Sequence, residues 1–217
     1  MLNADLEMQR YYAARALEYE EVYAKPERQA DLRFLESWVQ SILSGCHVLE
    51  VACGTGYWTR LFGATAARIT AIDAVKETIE IAKSRLDGGN VQFLVADAIE
   101  LPNELGTFNA AFAGLWLSHI PKSRLRAFFT SLHKRLTPGS SVLLLDNNKA
   151  QLKELPITEQ DAQGNTYQTR VLQDGTTYHV LKNFPTQSEL IKMIEGIGRK
   201  PQYRMLENFW TFLYETN

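Results

Sequence analysis

A short apolar run that carries an acid and opens into a glycine turn sets the chemistry available to this chain: Val48-Leu49-Glu50-Val51-Ala52-Cys53-Gly54-Thr55-Gly56-Tyr57-Trp58-Thr59. Gly54 and Gly56 lack a Cβ, so the backbone there can bend sharply and come close to a ligand. The residues that follow read as a helix, whose free N–H groups and positive dipole end face whatever occupies the turn. Two further acids close apolar runs. Asp73 ends Arg68-Ile69-Thr70-Ala71-Ile72, seventeen residues after Gly56, and Asp97 follows Val91-Gln92-Phe93-Leu94-Val95 within Ala96-Asp97-Ala98. An acid at such a strand end accepts hydrogen bonds from both hydroxyls of a ribose. A dinucleotide would call for a third glycine three residues after Gly56, where Thr59 stands behind the bulky Trp58. Glu50 would also repel a pyrophosphate, and suits a ligand that ends in a cationic amino-acid group. The pattern describes a cradle for a small nucleoside-type molecule.

The elements that must position these residues alternate in type. Cys46 to Val51 is largely apolar, as expected of a parallel strand covered on both faces. Lys76 to Leu86 reads as a helix with Ile79, Ala82 and Leu86 inward, ended by Gly88-Gly89. Phe108 to Ala113 is a fourth strand that opens into Gly114-Leu115-Trp116-Leu117-Ser118-His119-Ile120-Pro121. Pro121 suits the first turn of a helix with Leu125, Phe128, Phe129, Leu132 and Leu136 on one face, ended by Thr137-Pro138-Gly139. Ser141 to Asp146 is the fifth strand. Strands alternating with helices imply a parallel sheet with right-handed crossovers, and ligands bind beyond the carboxyl ends of its strands. Glu50, Gly54, Asp73, Asp97, Gly114 and the 115–120 loop then share one edge.

The two ends of the chain differ from this core. Residues 5–24 read as a tyrosine-rich helix with Tyr11, Tyr12, Tyr19 and Tyr23, broken by Pro26, and Glu27 to Leu43 resumes with helical spacing. Beyond Asp146, Thr166 to Leu172 and Thr176 to Asn183 are β-rich runs joined through Gln173-Asp174-Gly175, a strong hairpin signal. A two-residue Asp174-Gly175 turn would pair Arg170 with His179 and send Lys182 to the opposite face; only a bulge or longer loop brings both cations to one side. Thr186 to Ile197 reads as a helix, and Pro201 to Glu207 with Phe209 to Glu215 as closing strands.

Composition limits the function. At 217 residues the chain fits one domain, and a formal net charge of −2 without a lysine or arginine run argues against nucleic acid as substrate. No stretch approaches the ~18 apolar residues of a membrane span. The start, Met1-Leu2-Asn3-Ala4-Asp5-Leu6-Glu7, lacks the marks of a signal peptide, so a cytoplasmic location is expected. Cys46 and Cys53 read as reduced thiols, and no metal-ligand spacing joins them to the four histidines.

In order, Glu50-Val51-Ala52-Cys53-Gly54-Thr55-Gly56, Asp73 and Asp97 on successive strand ends resemble the class I S-adenosylmethionine-dependent methyltransferases, a likeness that runs from about Tyr11 to the C-terminus. Ala52 departs from it, standing where the family's loop has its first glycine, a change that should narrow the pocket only slightly. The resemblance implies a Rossmann-like α/β fold: a mostly parallel sheet with its last strand antiparallel, helices on both faces, an N-terminal helical lid and an inserted β-hairpin. Within one methyltransferase domain, 1–44 would be the lid, 45–146 the cofactor-binding core, 147–184 the hairpin cap and 185–217 the closing helix and strands. It implies S-adenosyl-L-methionine as cofactor and S-adenosyl-L-homocysteine as product. The cofactor would lie against Tyr19, Glu50, Ala52, Cys53, Gly54, Gly56, Trp58, Asp73, Ala74, Asp97, Ala98, Gly114 and Leu115.

The acceptor side is read from fewer residues. His119 is the one group of the 115–120 loop whose ordinary pKa suits proton abstraction, and Trp116 can wall the pocket, whereas His47 and His133 read as structural. The loop lacks the Asx/Ser-Pro-Pro-aromatic motif of enzymes that methylate nucleic-acid amino groups. Tyr11-Tyr12, Cys53-Gly54-Thr55-Gly56-Tyr57-Trp58-Thr59, Trp116-Leu117-Ser118-His119-Ile120-Pro121 and Leu172-Gln173-Asp174-Gly175 are similar to phosphonate O-methyltransferases. By that likeness Tyr11, Tyr12, Trp116, Arg170 and Lys182 would bind the substrate, the two cations holding an anionic group. The expectation is O-methylation of a small molecule carrying a phosphonate or carboxylate, by a monomer or homodimer that takes neither nucleic acid nor membrane as partner. The alternatives are N- or C-methylation of a neutral metabolite, and a non-catalytic cofactor-binding protein.

Overall fold

The computed structural model describes residues 2–86 and 89–217, with side chains from Leu6 onward. Helix α1 (Leu2–Ala14), a 3-10 turn at Ala16–Glu18 and the one-turn α2 (Glu21–Ala24) lead through a second 3-10 turn to α3 (Gln29–Leu43). The core follows as β1 (His47–Val51), α4 (Tyr57–Gly63), β2 (Arg68–Asp73), α5 (Lys76–Arg85), β3 (Val91–Val95) and β4 (Phe108–Gly114). Then come α6 (Lys122–His133), β5 (Leu136–Asn147), β6 (Glu159–Gln160), β7 (Thr166–Val171), β8 (Thr177–Leu181), α7 (Gln187–Ile194), β9 (Gly198–Met205) and β10 (Phe209–Thr216).

Seven strands form one sheet in the order β3-β2-β1-β4-β5-β10-β9, parallel from β3 to β5, with the chain's last strand running antiparallel to both neighbours. Register makes the site. Val51 of β1 pairs with Ile72 of β2 and Ala113 of β4, and Asp73 pairs with Val95 of β3. The tips of four strands therefore end level, and the turns that leave them meet at one edge. One face of the sheet packs on α6 and α7 through Phe128, Phe129, Leu190 and Ile194, the other on α3, α4 and α5 through Leu35, Val39, Phe62 and Ile79. Side chains such as Leu35 and Val39, with no exposed surface, each stabilise the fold by about 1.5–3 kcal/mol.

Four expectations need correction. The 5–24 stretch is not one helix: α1 stops at Ala14 and the chain jogs through 3-10 geometry before α2. Its tyrosines are held by ring contacts, Tyr12 with Tyr19 and Tyr23 stacked on Tyr57, and these outweigh weak helical periodicity. Thr137-Pro138-Gly139 does not end α6 but lies inside β5. The ladder jumps from Phe108↔Leu136 to Ala110↔Ser141, so Pro138, which has no N–H to give, is bulged out of the pairing. α5 ends at Arg85 ahead of the expected glycine pair, of which Gly88 lies outside the described residues. α7 ends at Ile194, short of Ile197, with Gly196 beyond it at a φ of 76°; its start is fixed by a capping box between Thr186 and Glu189.

The inserted segment forms a separate antiparallel sheet, β6-β7-β8, with one more short strand than a hairpin has. Its turn is not the two-residue one. Leu172 and Thr176 still share a hydrogen bond, Gly175 sits at a φ of 84°, and Arg170 pairs with Tyr178 rather than His179. Three loop residues, with glycine in the left-handed position, displace the register by one. Lys182 then falls opposite Thr166, through its N–H to the Thr166 carbonyl, so Arg170 and Lys182 lie on the same face of the hairpin. That face is buried, Arg170 beside Tyr11 of α1 and Lys182 against Ser118 and Asp146.

Candidate active site

A cleft of about 860 Å³, its open mouth included, lies over the strand tips. Its floor is the glycine turn and the ends of β2 and β3: Ala52, Gly54, Asp73, Ala74, Asp97 and Ala98, together with Val75, Thr78 and Ile99. Backbone geometry at this floor is unusual. Ala52 and Leu115 have φ values of 54° and 58°, in the left-handed region that costs an L-residue about 1–2 kcal/mol, and both line the cleft. At Gly54, φ is 56° and an added Cβ would meet the Tyr19 ring at 3.3 Å. Tyr19 thus lies directly on the turn and forms a wall of the cleft.

Asp73 is tied in place by its own turn. One carboxylate oxygen accepts the Gly54 N–H at 2.8 Å and the other the Val75 N–H at 2.9 Å, and the residue lines the cleft. Burial pushes its pKa upward, with the backbone donors opposing the shift. Asp97 likewise accepts the Ile99 N–H at 2.7 Å. These acids are presented by backbone geometry that the strand tips dictate.

Several residues expected at the cofactor stand behind the floor instead. Glu50 is buried and accepts the Thr59 hydroxyl at 2.6 Å; desolvation, with Asp73 nearby, pushes its pKa to about 8, so its carboxyl is protonated at neutral pH. Trp58, on the first turn of α4, is turned into the core and donates its indole N–H to the Tyr23 hydroxyl at 3.0 Å. Gly114 makes room for it: a Cβ there would lie 2.9 Å from the indole nitrogen. Gly56 faces Ala82 of α5, letting helix and turn pack closely, and the Cys53 thiol is buried with its pKa raised well above the ordinary value. None of these five lines the cleft.

The other wall brings α1 and the 115–120 loop together. Tyr12, Trp116 and His119 line the cleft, with Met8 and Gln9 a turn earlier on α1 and Arg124 on α6. His119 Nε2 lies 2.8 Å from the Tyr12 hydroxyl and Nδ1 lies 2.5 Å from the Leu181 carbonyl oxygen. A carbonyl only accepts, so Nδ1 carries the proton and Nε2 accepts from the phenol. Burial lowers the His119 pKa to about 3, with the nearby Lys182 and Arg170 adding to the shift and Asp146 opposing it. The imidazole is therefore neutral throughout the physiological range.

Behind that wall the hairpin contributes its two cations. Lys182 is 1% exposed; its ammonium donates to Asp146 at 2.8 Å and to the Ser118 hydroxyl at 2.6 Å. Asp146 also accepts the Ser118 N–H at 3.0 Å, and this triad clamps the loop that carries His119. Arg170, 8% exposed, donates to Gln168 at 2.7 Å and reaches the Tyr11 hydroxyl at 3.5 Å, while its Nε has no partner. No carboxylate pairs with Arg170 among the described residues. Tyr11, buried, stands between Arg170 and Tyr178, and none of Tyr11, Arg170 and Lys182 lines the cleft itself.

Comparison with known proteins decides what this arrangement is. Residues 48–139 match the Methyltransf_25 family, a methyltransferase domain. DhpI, solved with SAH, superposes with a TM-score of 0.81 at 28% identity, over 100% of this chain and 98% of that one. DhpI with SAM and HEP gives 0.79, also at 28% identity, over 97% of each chain. The chain carries a class I S-adenosylmethionine-dependent methyltransferase domain. The O-methyltransferase cnsE of Penicillium expansum is 35% identical over 107 residues, 47% of this chain and 38% of that protein. A demethylmenaquinone methyltransferase of Staphylococcus aureus is 27% identical over 174 residues, 72% of this chain and 69% of that one.

The cleft lies at the strand tips, the edge where the sequence places the cofactor, and the cleft residues missed from the sequence have traceable signals. Val75 and Thr78 begin the turn after Asp73, Ile99 is the donor to Asp97, and Met8 and Gln9 precede Tyr12 by one helical turn. Arg124 gives no comparable signal. Among the described residues no cluster of three metal-binding side chains occurs, and no helix is long and apolar enough to cross a membrane.

Proposed function

We propose that the protein methylates an oxygen of a small acidic metabolite, with a carboxylate or phosphonate as the acceptor. The observation that carries this reading is Arg170: a guanidinium 8% exposed, without a carboxylate partner, its Nε unbonded, on the same buried face as Lys182. A buried cation left in this state is costly, and an anionic ligand repays the cost. The likeness to DhpI, solved with SAM and HEP, supports it, because the match extends over the hairpin that carries both cations.

In this reading the bound cofactor supplies a methyl group on a positively charged sulfur, displaced in line by the acceptor oxygen. Asp73 holds the ribose hydroxyls, Asp97 lies beside the base, and the Ala52–Gly54 backbone lets the amino-acid end approach. Tyr12, Tyr19 and Trp116 exclude water from the line of transfer, and α1 serves as the lid. Glu50, protonated in the fold, supports the turn from behind. Lys182 holds the 115–120 loop, and its charge adds to that of Arg170 at the acceptor side. We place the protein in the cytoplasm as a monomer or homodimer.

The reading is tested with labelled S-adenosylmethionine and a panel of small phosphonates, carboxylic acids, phenols and amines. Transfer to acids that falls about a hundredfold in Arg170→Met, with homocysteine-product binding unchanged, is the expected result. Transfer confined to amines or neutral phenols, indifferent to Arg170, would refute it.

A further inference from the structure

His119 is the group in this cleft that by type would serve as a base, yet its surroundings are built for another task. Its two ring nitrogens are both spent, Nδ1–H on the Leu181 carbonyl of β8 and Nε2 on the Tyr12 hydroxyl of α1. The charged groups that face it are Lys182 after β8, Arg170 on β7 and Asp146 on β5, and Asp146 is already engaged by Lys182. A proton placed on Nε2 would create an imidazolium beside two cations with one shared carboxylate between them. It would also reverse the contact to Tyr12, whose phenol oxygen would have to accept in place of donating. The same phenol is held protonated, its pKa raised by burial, so it stays a donor.

We infer that His119 is a positioning residue: its Nε2 fixes the Tyr12 hydroxyl, and with it the lid helix, against the cleft, while the acceptor oxygen enters already ionised and gives no proton to the protein. The inference rests on the acidic-acceptor reading above and sharpens it to the ionised form of the acid. The balance is simple. An oxygen–carbon bond forms as the carbon–sulfur bond breaks, the acceptor's negative charge and the sulfonium's positive charge cancel, and no proton moves. The fixed donors around the histidine agree with this. Glu7 accepts the His179 N–H of β8 at 2.9 Å and the Tyr11 hydroxyl meets Arg170 of β7 at 3.5 Å, so α1 is seated on the hairpin at these two residues, while Tyr12–His119 ties it to the 115–120 loop inside the cleft.

The experiment compares His119→Leu, His119→Gln, Tyr12→Phe and the Leu/Phe double variant on an acid acceptor, with nitrogen NMR of the His119 ring in parallel. Glutamine offers an amide oxygen near the place of Nε2 and cannot take a proton. The expected result is a roughly tenfold loss of kcat/KM in His119→Leu and in Tyr12→Phe, no further loss in the double variant, and recovery of most of it in His119→Gln. Loss of a general base would instead cost about 10²- to 10⁴-fold and glutamine would not restore it, which overturns the inference. The ring spectrum reads independently of turnover: a neutral Nδ1–H tautomer from pH 5 to 8 supports the assignment, and titration near pH 6.5 contradicts it. If no acid is methylated at all, the spectrum still decides His119, while the acidic-acceptor reading fails by itself.

Discussion

The cofactor edge and the hairpin side of this domain position functional groups by different means. At the edge, acids sit where parallel strands end, and their carboxylates are aimed by the N–H groups of the next turn, Gly54 and Val75 for Asp73 and Ile99 for Asp97. At the hairpin, Arg170 and Lys182 are aimed by a one-residue choice of register, by long-range side-chain bonds to Ser118, Asp146 and Tyr11, and by a local one to Gln168. The first arrangement follows from topology, which puts ligand sites beyond the carboxyl ends of the strands. The second depends on the hairpin's register, and the proposed selectivity for an acidic acceptor rests on it.

Variants can separate the two. The largest effect is expected for Asp73→Ala, which strands the Gly54 and Val75 N–H groups and removes the proposed ribose acceptor. Calorimetry with S-adenosylhomocysteine should show binding weakened about a thousandfold. Next comes Glu50→Gln. The folded pKa of about 8 lies above the ordinary value of 4.5, so the stability Glu50 lends is complete below pH 4.5 and is lost as pH rises through 8. Glutamine mimics the neutral acid, so thermal melts above pH 8 should favour the variant by up to about 4 kcal/mol, on the order of ten degrees, with the gap closing below pH 5. A pH-independent gap would contradict the buried, protonated carboxyl.

Arg170→Met is the mirror image of Asp73→Ala. Acceptor turnover should fall about a hundredfold while cofactor affinity holds, and the melting temperature should stay level or rise, since an unpaired buried cation is replaced by an apolar side chain. If the variant loses cofactor binding as well, the separation between the two regions is wrong. The smallest effect is Ala52→Gly. Relief of a left-handed alanine at φ 54° is expected to add about 0.5–1 kcal/mol, offset in part by glycine's greater freedom in the unfolded chain, and to leave turnover unchanged at saturating cofactor.

The cofactor edge was legible in the sequence because its signals are local. A strand, a glycine turn and an acid at the next strand end imply their own register, so Gly54, Asp73, Ala74, Asp97 and Ala98 arrive together at the cleft. Orientation was not legible. Glu50, Trp58 and Gly114 lie in the right segments, but Trp58 points to Tyr23, Gly114 makes room for that indole, and Glu50 points to Thr59, outcomes set by packing across α4 that no spacing encodes. The hairpin was legible as a hairpin, yet whether Arg170 and Lys182 share a face turned on the loop taking three residues, 173–175, in place of two. His119 was found by type and place. Its role was not, because that depends on Leu181, Lys182 and Arg170, more than fifty residues further along the chain.

The most direct test of the account is a paired transfer assay: labelled S-adenosylmethionine presented with a small carboxylic or phosphonic acid and with the uncharged amide of the same skeleton. The account predicts that the label enters the acid alone, as a methyl ester that base cleaves in the carboxylic case, and that with the carboxylic acid the rate does not follow a titration between pH 6 and 8. Label in the amide or in a neutral amine, with none in the acid, would contradict it.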